Sequence, residues 1–245
     1  MSNSLNKLQT ERFSRQLVIK NIGAIGQKKV MSSKILIVGV GGLGCPAAEN
    51  LTRAGVGLIG LVDNDIVNLS NIHRQSLFNS KDIKKSKINV AAKKLKDINP
   101  YTKIKTYNTR LNEKNIKNII QNYDIVIDGT DNFKTKFLIN DYCLKLKKKL
   151  ITGAISKFDG HVFTFDFKDK KVASLKNFYQ EDEISDDALN CEFDGVLGTT
   201  ATIVGATQAN EALKMIIKIG RNLKNQLLVI DLLNLNFRKV KFKKR

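Results

Sequence analysis

Short apolar runs alternate with segments of helical periodicity over the first 155 residues. Uncharged runs of four to six residues indicate strands that are buried on both faces of a parallel sheet. Strands that alternate with helices at this spacing predict a doubly wound α/β fold, whose ligands bind at the carboxyl ends of the strands. The predicted strands are 34–39, 58–62, 104–107, 124–128 and 150–153, and the predicted helices are 8–33 in two pieces, 87–98, 113–121 and 133–147.

The pattern changes from residue 156 onward. The segment KFDGHVFTFDF alternates polar and apolar residues around an Asp-Gly pair, which predicts an antiparallel hairpin. Residues 168–195 show no period, predicting a mobile functional loop, and they precede a long helix at 196–219 and strands at 226–232 and 236–242. We expect a single Rossmann-like domain over 1–245, with N-terminal helices (1–33), a nucleotide-binding core (34–155) and an antiparallel C-terminal extension (156–245).

A glycine-rich turn follows the first predicted strand. Gly39, Gly41 and Gly44 fit G-x-G-x-x-G, in which glycines permit a tight turn, close approach to a phosphate, and close packing of helix on strand. The N-terminal end of the next helix favours an anion. Asp63 ends the second strand, nineteen residues past Gly44, where nucleotide-binding units place the acid that holds a ribose hydroxyl.

Composition and charge limit the cellular locations and the classes of binding partner that we expect for the chain. Hydrophobic residues make up 42% of it, and no apolar run reaches the roughly 18 residues of a membrane span. The polar N-terminus has no signal-peptide pattern, so we expect a cytoplasmic protein without a membrane partner. Its formal charge of +19 is spread along the sequence instead of forming one dense patch, so we do not expect a nucleic-acid partner. A basic surface suits long-range steering of an acidic partner or a triphosphate.

Polar residues at the predicted strand ends indicate the chemistry. A dinucleotide oxidoreductase, which stays an alternative, needs the glycine turn and Asp63 but not the additional cations Arg74 and Lys87. A triphosphate needs both cations, and Asp131 can hold Mg²⁺ against its α-phosphate. The combination favours attack on the α-phosphorus, that is, adenylyl transfer.

Several segments resemble the ThiF/MoeB/HesA family of adenylyltransferases, bacterial relatives of the ubiquitin-activating enzymes. The resemblance rests on RFSRQ (12–16), VGVGGLG (38–44), RAGVGLIGLVDNDIVNLSNIHRQSLF (53–78), DGTDN (128–132) and VGATQANEALK (204–214). It implies a homodimer that uses MgATP to adenylate the C-terminal glycine of a ubiquitin-like sulfur carrier, ThiS-like or MoaD-like, in thiamine or molybdopterin biosynthesis. A related alternative is the dehydratase that activates a carbamoyl group on transfer RNA.

The resemblance also implies site residues. Arg74 and Lys87 would contact phosphates, Asp131 would hold magnesium, and Arg15 would reach into the partner subunit's active site. Lys85 is an alternative to Lys87, because Lys-Lys-Ser-Lys replaces the usual glycine and proline around the family's lysine. The full set expected to bind ATP is Gly39, Gly41, Gly42, Gly44, Asp63, Asp65, Asn71, Arg74, Gln75, Lys87, Asp131 and Asn132.

The three cysteines form no C-x-x-C pair, so we expect neither a disulfide framework nor the zinc site of many relatives. Cys191 aligns with a cysteine that in some relatives attacks the acyl-adenylate or takes part in sulfur transfer. A thiolate suits that role, but neighbouring acidic residues disfavour the thiolate, so a structural role stays open. We expect Cys45 and Cys143 in the core, and structural roles for His73 and His161, with a position beside the nucleotide as the alternative for His73.

Overall fold

A computed structural model describes residues 5–179 and 195–244 and contains one eight-stranded sheet. The strand order is β3-β2-β1-β4-β5-β6-β7-β8, parallel from β3 to β5 and antiparallel from β5 to β8. The predicted Rossmann-like fold with an antiparallel extension is therefore confirmed. The strands are β1 (Lys34–Val38), β2 (Leu58–Val62), β3 (Lys103–Tyr107), β4 (Ile125–Asp128), β5 (Lys149–Ser156), β6 (Asp159–Asp166), β7 (Gln226–Asp231) and β8 (Asn236–Lys241).

Helices cover both faces of the sheet. They are α1 (Lys7–Arg12), α2 (Ser14–Leu17), α3 (Gly23–Ser32), α4 (Gly44–Ala54), α5 (Lys87–Ile98), α6 (Ile116–Ile120), α7 (Phe133–Lys145) and α8 (Gly198–Ile217). Alternate residues of β1 serve opposite cores: Ile35 and Ile37 pack with α3, α4, α5 and α8, whereas Leu36 and Val38 pack with α6 and α7. Burial on both faces explains why β1 is apolar at every position after Lys34. Within the described residues, no helix has the length and apolarity needed to cross a membrane.

The N-terminal segment forms three short helices instead of the predicted two pieces. A break falls at Phe13, which is almost fully buried, and a second break separates α2 from α3. Phe13 packs where a Cβ on Gly55 would lie 2.5 Å from its ring. This tertiary anchor, which helical periodicity does not report, accounts for the extra break.

The predicted Asp-Gly turn is wrong. Gly160 lies inside β6 opposite Ile155, and the chain reverses at residues 157–158, where Lys157 has φ +51°. A Cβ on Gly160 would lie 2.2 Å from a methyl group of Val204 on α8. The glycine is therefore needed for close packing of helix on sheet rather than for the turn.

The structure describes only part of the predicted loop at 168–195. Residues 168–179 contain a 3₁₀ turn, Leu175–Asn177, whose first residue is almost completely buried. The Leu175 amide donates to Oδ1 of Asn140 on α7 at 3.0 Å. This part of the loop is thus anchored to α7, and residues 180–194, with the acidic run, lie outside the described residues.

Candidate active site

A cleft of about 320 Å³ lies at the carboxyl ends of β1, β2 and β4. This is the edge at which doubly wound sheets bind their ligands. Of the predicted site residues, the cleft brings together Gly39, Gly41, Gly42, Asp63, Asp65, Arg74, Gln75, Lys87, Asp131 and Asn132. Ten residues that lie as far as 93 positions apart in the sequence therefore share one cavity.

The glycine turn forms one wall of the cleft. Gly39 has φ +84°, a conformation that favours glycine, and a Cβ there would lie 2.9 Å from the Gly129 carbonyl oxygen. A Cβ on Gly44 would lie 1.9 Å from the Gly39 carbonyl oxygen, so Gly44 allows α4 to begin against the turn. Gly44, predicted to bind ATP, does not line the cleft, whereas Gly41 and Gly42 do.

Asp63 fastens the glycine turn to the end of β2. One carboxylate oxygen accepts from the Val40 amide at 2.7 Å, and the other accepts from the Asp65 amide at 2.8 Å. Carboxylates that accept backbone N–H bonds form strong, charge-assisted hydrogen bonds. Asp63 thus sets the shape of the wall that it also lines.

Lys87 begins α5 and points into the cleft, where it is only 5% exposed. Its Nζ donates to Asp65 Oδ2 at 3.1 Å, and its amide donates to the Asp65 carbonyl at 3.0 Å. Lys85, the alternative, is exposed and does not line the cleft. The geometry therefore favours Lys87 as the lysine that meets a bound anion.

Arg74 lies beside the glycine turn, with its Cδ 3.6 Å from the position of a Cβ on Gly42. Its Nη1 donates to the Ser70 carbonyl at 2.9 Å and to His73 Nε2 at 2.7 Å, which fixes the guanidinium without a carboxylate partner among the described residues. Asn71 was predicted to bind ATP but does not line the cleft. It is buried, and its carbonyl accepts from the Arg74 amide at 3.1 Å, so it shapes the turn that carries Arg74.

The DGTDN segment follows β4 and forms the opposite wall. Asp131 is exposed, and the contact that the structure gives its carboxylate is Asn132 Nδ2 at 3.4 Å. Asn132 caps α7, because its Oδ1 accepts from the Thr135 amide at 2.9 Å. The Asp131 carboxylate is therefore free to meet a ligand, in contrast to Asp63.

A buried ion pair lies beneath this wall. Asp128 and Lys136 are 1% and 3% exposed at their side chains, and Lys136 Nζ donates to Asp128 Oδ2 at 3.1 Å and to the Gly153 carbonyl at 2.6 Å. Asp128 also accepts from the Thr130 amide at 2.9 Å and from the Thr130 and Thr152 hydroxyls. The pair ties the loop before Asp131 to β5.

Sequence reasoning missed part of the lining. Thr109, Arg110 and Leu111 follow β3 and line the cleft. Thr130 and Lys136, which come after β4, also line it. Position at a strand end is the signal that could have identified the first three, since β3 is parallel to its neighbours. Arg110 is exposed and has no carboxylate partner among the described residues, so it adds positive charge to the lining of the cleft.

Arg15 and Cys191 are the remaining predicted site residues. Arg15 is exposed on α2 and does not line the cleft of its own chain, and its role in a partner subunit stays a prediction. Cys191 lies outside the described residues, so its role stays a prediction. Among the described residues, no group of three His, Cys, Asp or Glu side chains is placed to hold a metal ion.

The two described cysteines are buried, as predicted. Burial raises the pKa of the Cys45 thiol to about 12, and burial together with Asp128 raises the pKa of Cys143 well above its usual range. A thiol with a raised pKa is a poor nucleophile at neutral pH. Cys45 and Cys143 are therefore packing residues.

Comparison with known proteins identifies relatives of the chain. The ThiF family model matches residues 13–245. A "Probable molybdopterin-synthase adenylyltransferase" of Gracilaria tenuistipitata var. liui is 40% identical over 98% of this chain and 67% of that protein. A "Sulfur carrier protein adenylyltransferase" of Thermus thermophilus is 36% identical over 96% of this chain and 88% of that protein. The chain spans between 53% and 67% of the first three curated relatives.

Solved structures support the fold. A crystal structure of Escherichia coli MccB with ATP superimposes with a TM-score of 0.83 at 21% identity, over 96% of this chain and 72% of MccB. PaaA superimposes with a TM-score of 0.82 at 19% identity, over 100% of this chain and 77% of PaaA. At these identities the likeness concerns the fold alone. The match of the family model to nearly the whole chain confirms the predicted resemblance, and the chain belongs to the ThiF family.

Proposed function

We propose that this chain is an ATP-dependent adenylyltransferase that activates the C-terminal glycine carboxylate of a small ubiquitin-like sulfur carrier. The observation that carries the proposal is the single cleft that Arg74, Lys87 and Asp131 share with the glycine turn. The names of the relatives, molybdopterin-synthase and sulfur carrier protein adenylyltransferase, support it. We further propose a cytoplasmic location and a carrier of the ThiS or MoaD type.

The reaction exchanges one bond at phosphorus for another. A carboxylate oxygen of the carrier attacks the α-phosphorus of ATP, the bond to the α,β-bridging oxygen breaks, and its electron pair leaves with pyrophosphate. Negative charge accumulates on the leaving group, so fixed cations lower the barrier when they lie beside it. Arg74 and Lys87 are held at one wall by backbone and carboxylate partners and are thus in place before the reaction.

The residues of the cleft fit a magnesium ion that arrives with the nucleotide. Mg²⁺ in nucleotide enzymes is held by one or two carboxylates together with substrate phosphates and waters. The free carboxylate of Asp131 supplies such a ligand, and Asp65 Oδ1 can supply a second because Lys87 occupies Oδ2. A bound magnesium would neutralise phosphate charge during the transfer.

Carrier-dependent ATP–pyrophosphate exchange tests the proposal. We expect radiolabel to pass from pyrophosphate into ATP only in the presence of a carrier that ends in Gly-Gly, and not with the same carrier truncated by those two residues. Exchange that is equal with both carriers would overturn the proposed substrate. ThiS-like and MoaD-like carriers assayed side by side would assign the pathway.

Ligand-dependent melting distinguishes ATP from NAD as the nucleotide. A ligand that binds only the native state raises the melting temperature. At a concentration of one hundred times its Kd, it adds about 2.7 kcal/mol to the free energy of unfolding. We expect MgATP at millimolar concentration to raise the melting temperature and NAD to leave it unchanged. A shift with NAD alone would favour the oxidoreductase alternative.

The two candidate lysines give a matched pair of variants. We expect Lys87→Gln to lower kcat/KM for ATP at least about tenfold, because it removes a fixed positive charge from the cleft. Lys85→Gln removes the same charge from an exposed position outside the lining and should leave kcat/KM within about twofold. The reverse ranking in steady-state exchange kinetics would assign the role to Lys85.

We also propose that the active enzyme is a homodimer in which Arg15 acts on the partner's cleft. Arg15→Ala and Asp131→Ala should each be inactive, whereas a mixture allowed to exchange subunits should regain about a quarter of wild-type activity. That fraction follows because half of the dimers are mixed and each contains one complete site. Recovery that does not depend on subunit exchange, or no recovery in verified mixed dimers, contradicts a role in trans.

A further inference from the structure

A second cavity lies at the opposite edge of the sheet, near the amino ends of β1, β4 and β5. Its volume is about 630 Å³, larger than the cleft. The lining includes a single carboxylate, Asp124, whose Oδ2 accepts from the Lys34 amide at 3.0 Å. Six lysines surround the cavity: Lys29, Lys147, Lys148, Lys149, Lys168 and Lys218.

Three of these lysines have structural partners. Lys29 and Lys149 donate to carbonyls in the last turn of α8, those of Ile217 at 3.4 Å and Met215 at 3.2 Å. Lys148 donates to two carbonyls beyond α6, at 2.8 and 2.7 Å. Cations at helix C-termini satisfy carbonyls that lack helical partners and compensate the negative end of the helix dipole. These three lysines are explained by the fold.

The contacts within the fold do not explain the other three lysines, Lys147, Lys168 and Lys218. Each side chain is exposed, and its ammonium group makes no hydrogen bond or ion pair to any described residue, although the Lys168 amide donates to Asp166 Oδ1 at 3.2 Å. They come from separate parts of the chain: the turn after α7, the segment after β6, and the C-cap of α8. Three ammonium groups around one cavity create a positive potential there, which attracts an anion.

Two of them occupy left-handed backbone positions at helix C-termini. Lys147 has φ +51° and Lys218 has φ +66°, left-handed conformations in which glycine or asparagine is less strained. Left-handed residues commonly end helices, and these two end α7 and α8 while their side chains line the cavity.

We propose that this cavity binds an oligophosphate chain of about three phosphates at Lys147, Lys168 and Lys218. Lysine binds phosphate as a compact point charge with three donors, and three ammonium groups provide one cation for each phosphate of such a chain. The cavity is separated from the cleft by the length of the sheet, so this binding is independent of the adenylyl-transfer proposal. An anion bound at these lysines would also account for part of the formal charge of +19.

Isothermal titration with inorganic tripolyphosphate at low ionic strength tests the proposal with three variants. K147Q/K168Q/K218Q removes the proposed site, K93Q/K96Q/K117Q removes the same charge from exposed lysines on α5 and α6, and R74Q/K87Q disables the cleft. We expect the first variant to bind at least about tenfold more weakly than the wild type, and the other two to retain a site of unit stoichiometry. Melting curves establish that each variant is folded.

Two results would overturn the proposal. Equal weakening in both triple variants would show non-specific attraction by net charge, and loss of binding in R74Q/K87Q would assign the anion to the cleft. Lysine acetylation of the wild-type protein provides a readout without substitutions, since tripolyphosphate should protect Lys147, Lys168 and Lys218 but not Lys93. A parallel titration with GTP into R74Q/K87Q distinguishes a free chain, bound equally well, from a nucleotide, bound at least about tenfold more tightly.

Discussion

Asp131→Asn is expected to lower carrier-dependent ATP–pyrophosphate exchange at least about 100-fold, the usual loss when one electrostatic group is removed from a transition state. The amide keeps the size of the side chain but removes the charge that would hold magnesium at the α-phosphate. Because the carboxylate touches only Asn132, at 3.4 Å, among the described residues, the substitution removes little that supports the fold. The melting temperature should therefore stay within about 2 °C of the wild-type value.

Two matched variants separate chemistry from folding. Asp97→Asn removes a carboxylate from an exposed position of α5 and should leave exchange unchanged. Asp63→Asn removes a carboxylate that accepts two backbone amides, so it should lower both the melting temperature and the exchange rate. Exchange by Asp131→Asn at a rate near that of Asp97→Asn would exclude the proposed role of Asp131.

The difference between Asp63 and Asp131 also shows what sequence patterns can predict. Both were located by the same rule, that polar residues after parallel strands meet at one edge of the sheet, and both line the cleft. The rule gives position but not hydrogen-bond partners. The two oxygens of Asp63 are occupied by backbone amides of its own wall, which local pattern could not report, whereas Asp131 is left for a ligand.

Failures of sequence prediction occurred where a distant contact decides the local structure. Gly160 was assigned to a turn by its neighbour Asp159, yet it is a glycine because α8 packs against that strand. Phe13 interrupts the N-terminal helix because its ring packs against Gly55. Arg110 was missed because no motif marks the loop after β3, although the order of the strands brings it to the cleft.

The Asp128–Lys136 pair was missed for another reason: in the sequence, Lys136 resembles any helical lysine. The structure predicts that a substitution of Lys136 strongly lowers the free energy of unfolding. Lys136→Met leaves the Asp128 carboxylate buried without its cation, and breaking a buried pair in this way costs about 3 to 5 kcal/mol. We expect the melting temperature to fall by about 10 °C, since each kcal/mol corresponds to about 2 to 4 °C in a chain of this size.

A double-mutant cycle distinguishes an unpaired charge from lost packing. Asp128→Asn in the Lys136→Met background removes the uncompensated charge and should recover at least about 1 kcal/mol of unfolding free energy, measured in urea. Lys134→Met, an exposed change on the same helix, is the matched control and should have little effect. If the double variant is instead destabilised by the sum of the single effects, Lys136 contributes packing alone, and the pair does not hold the loop before Asp131 by charge.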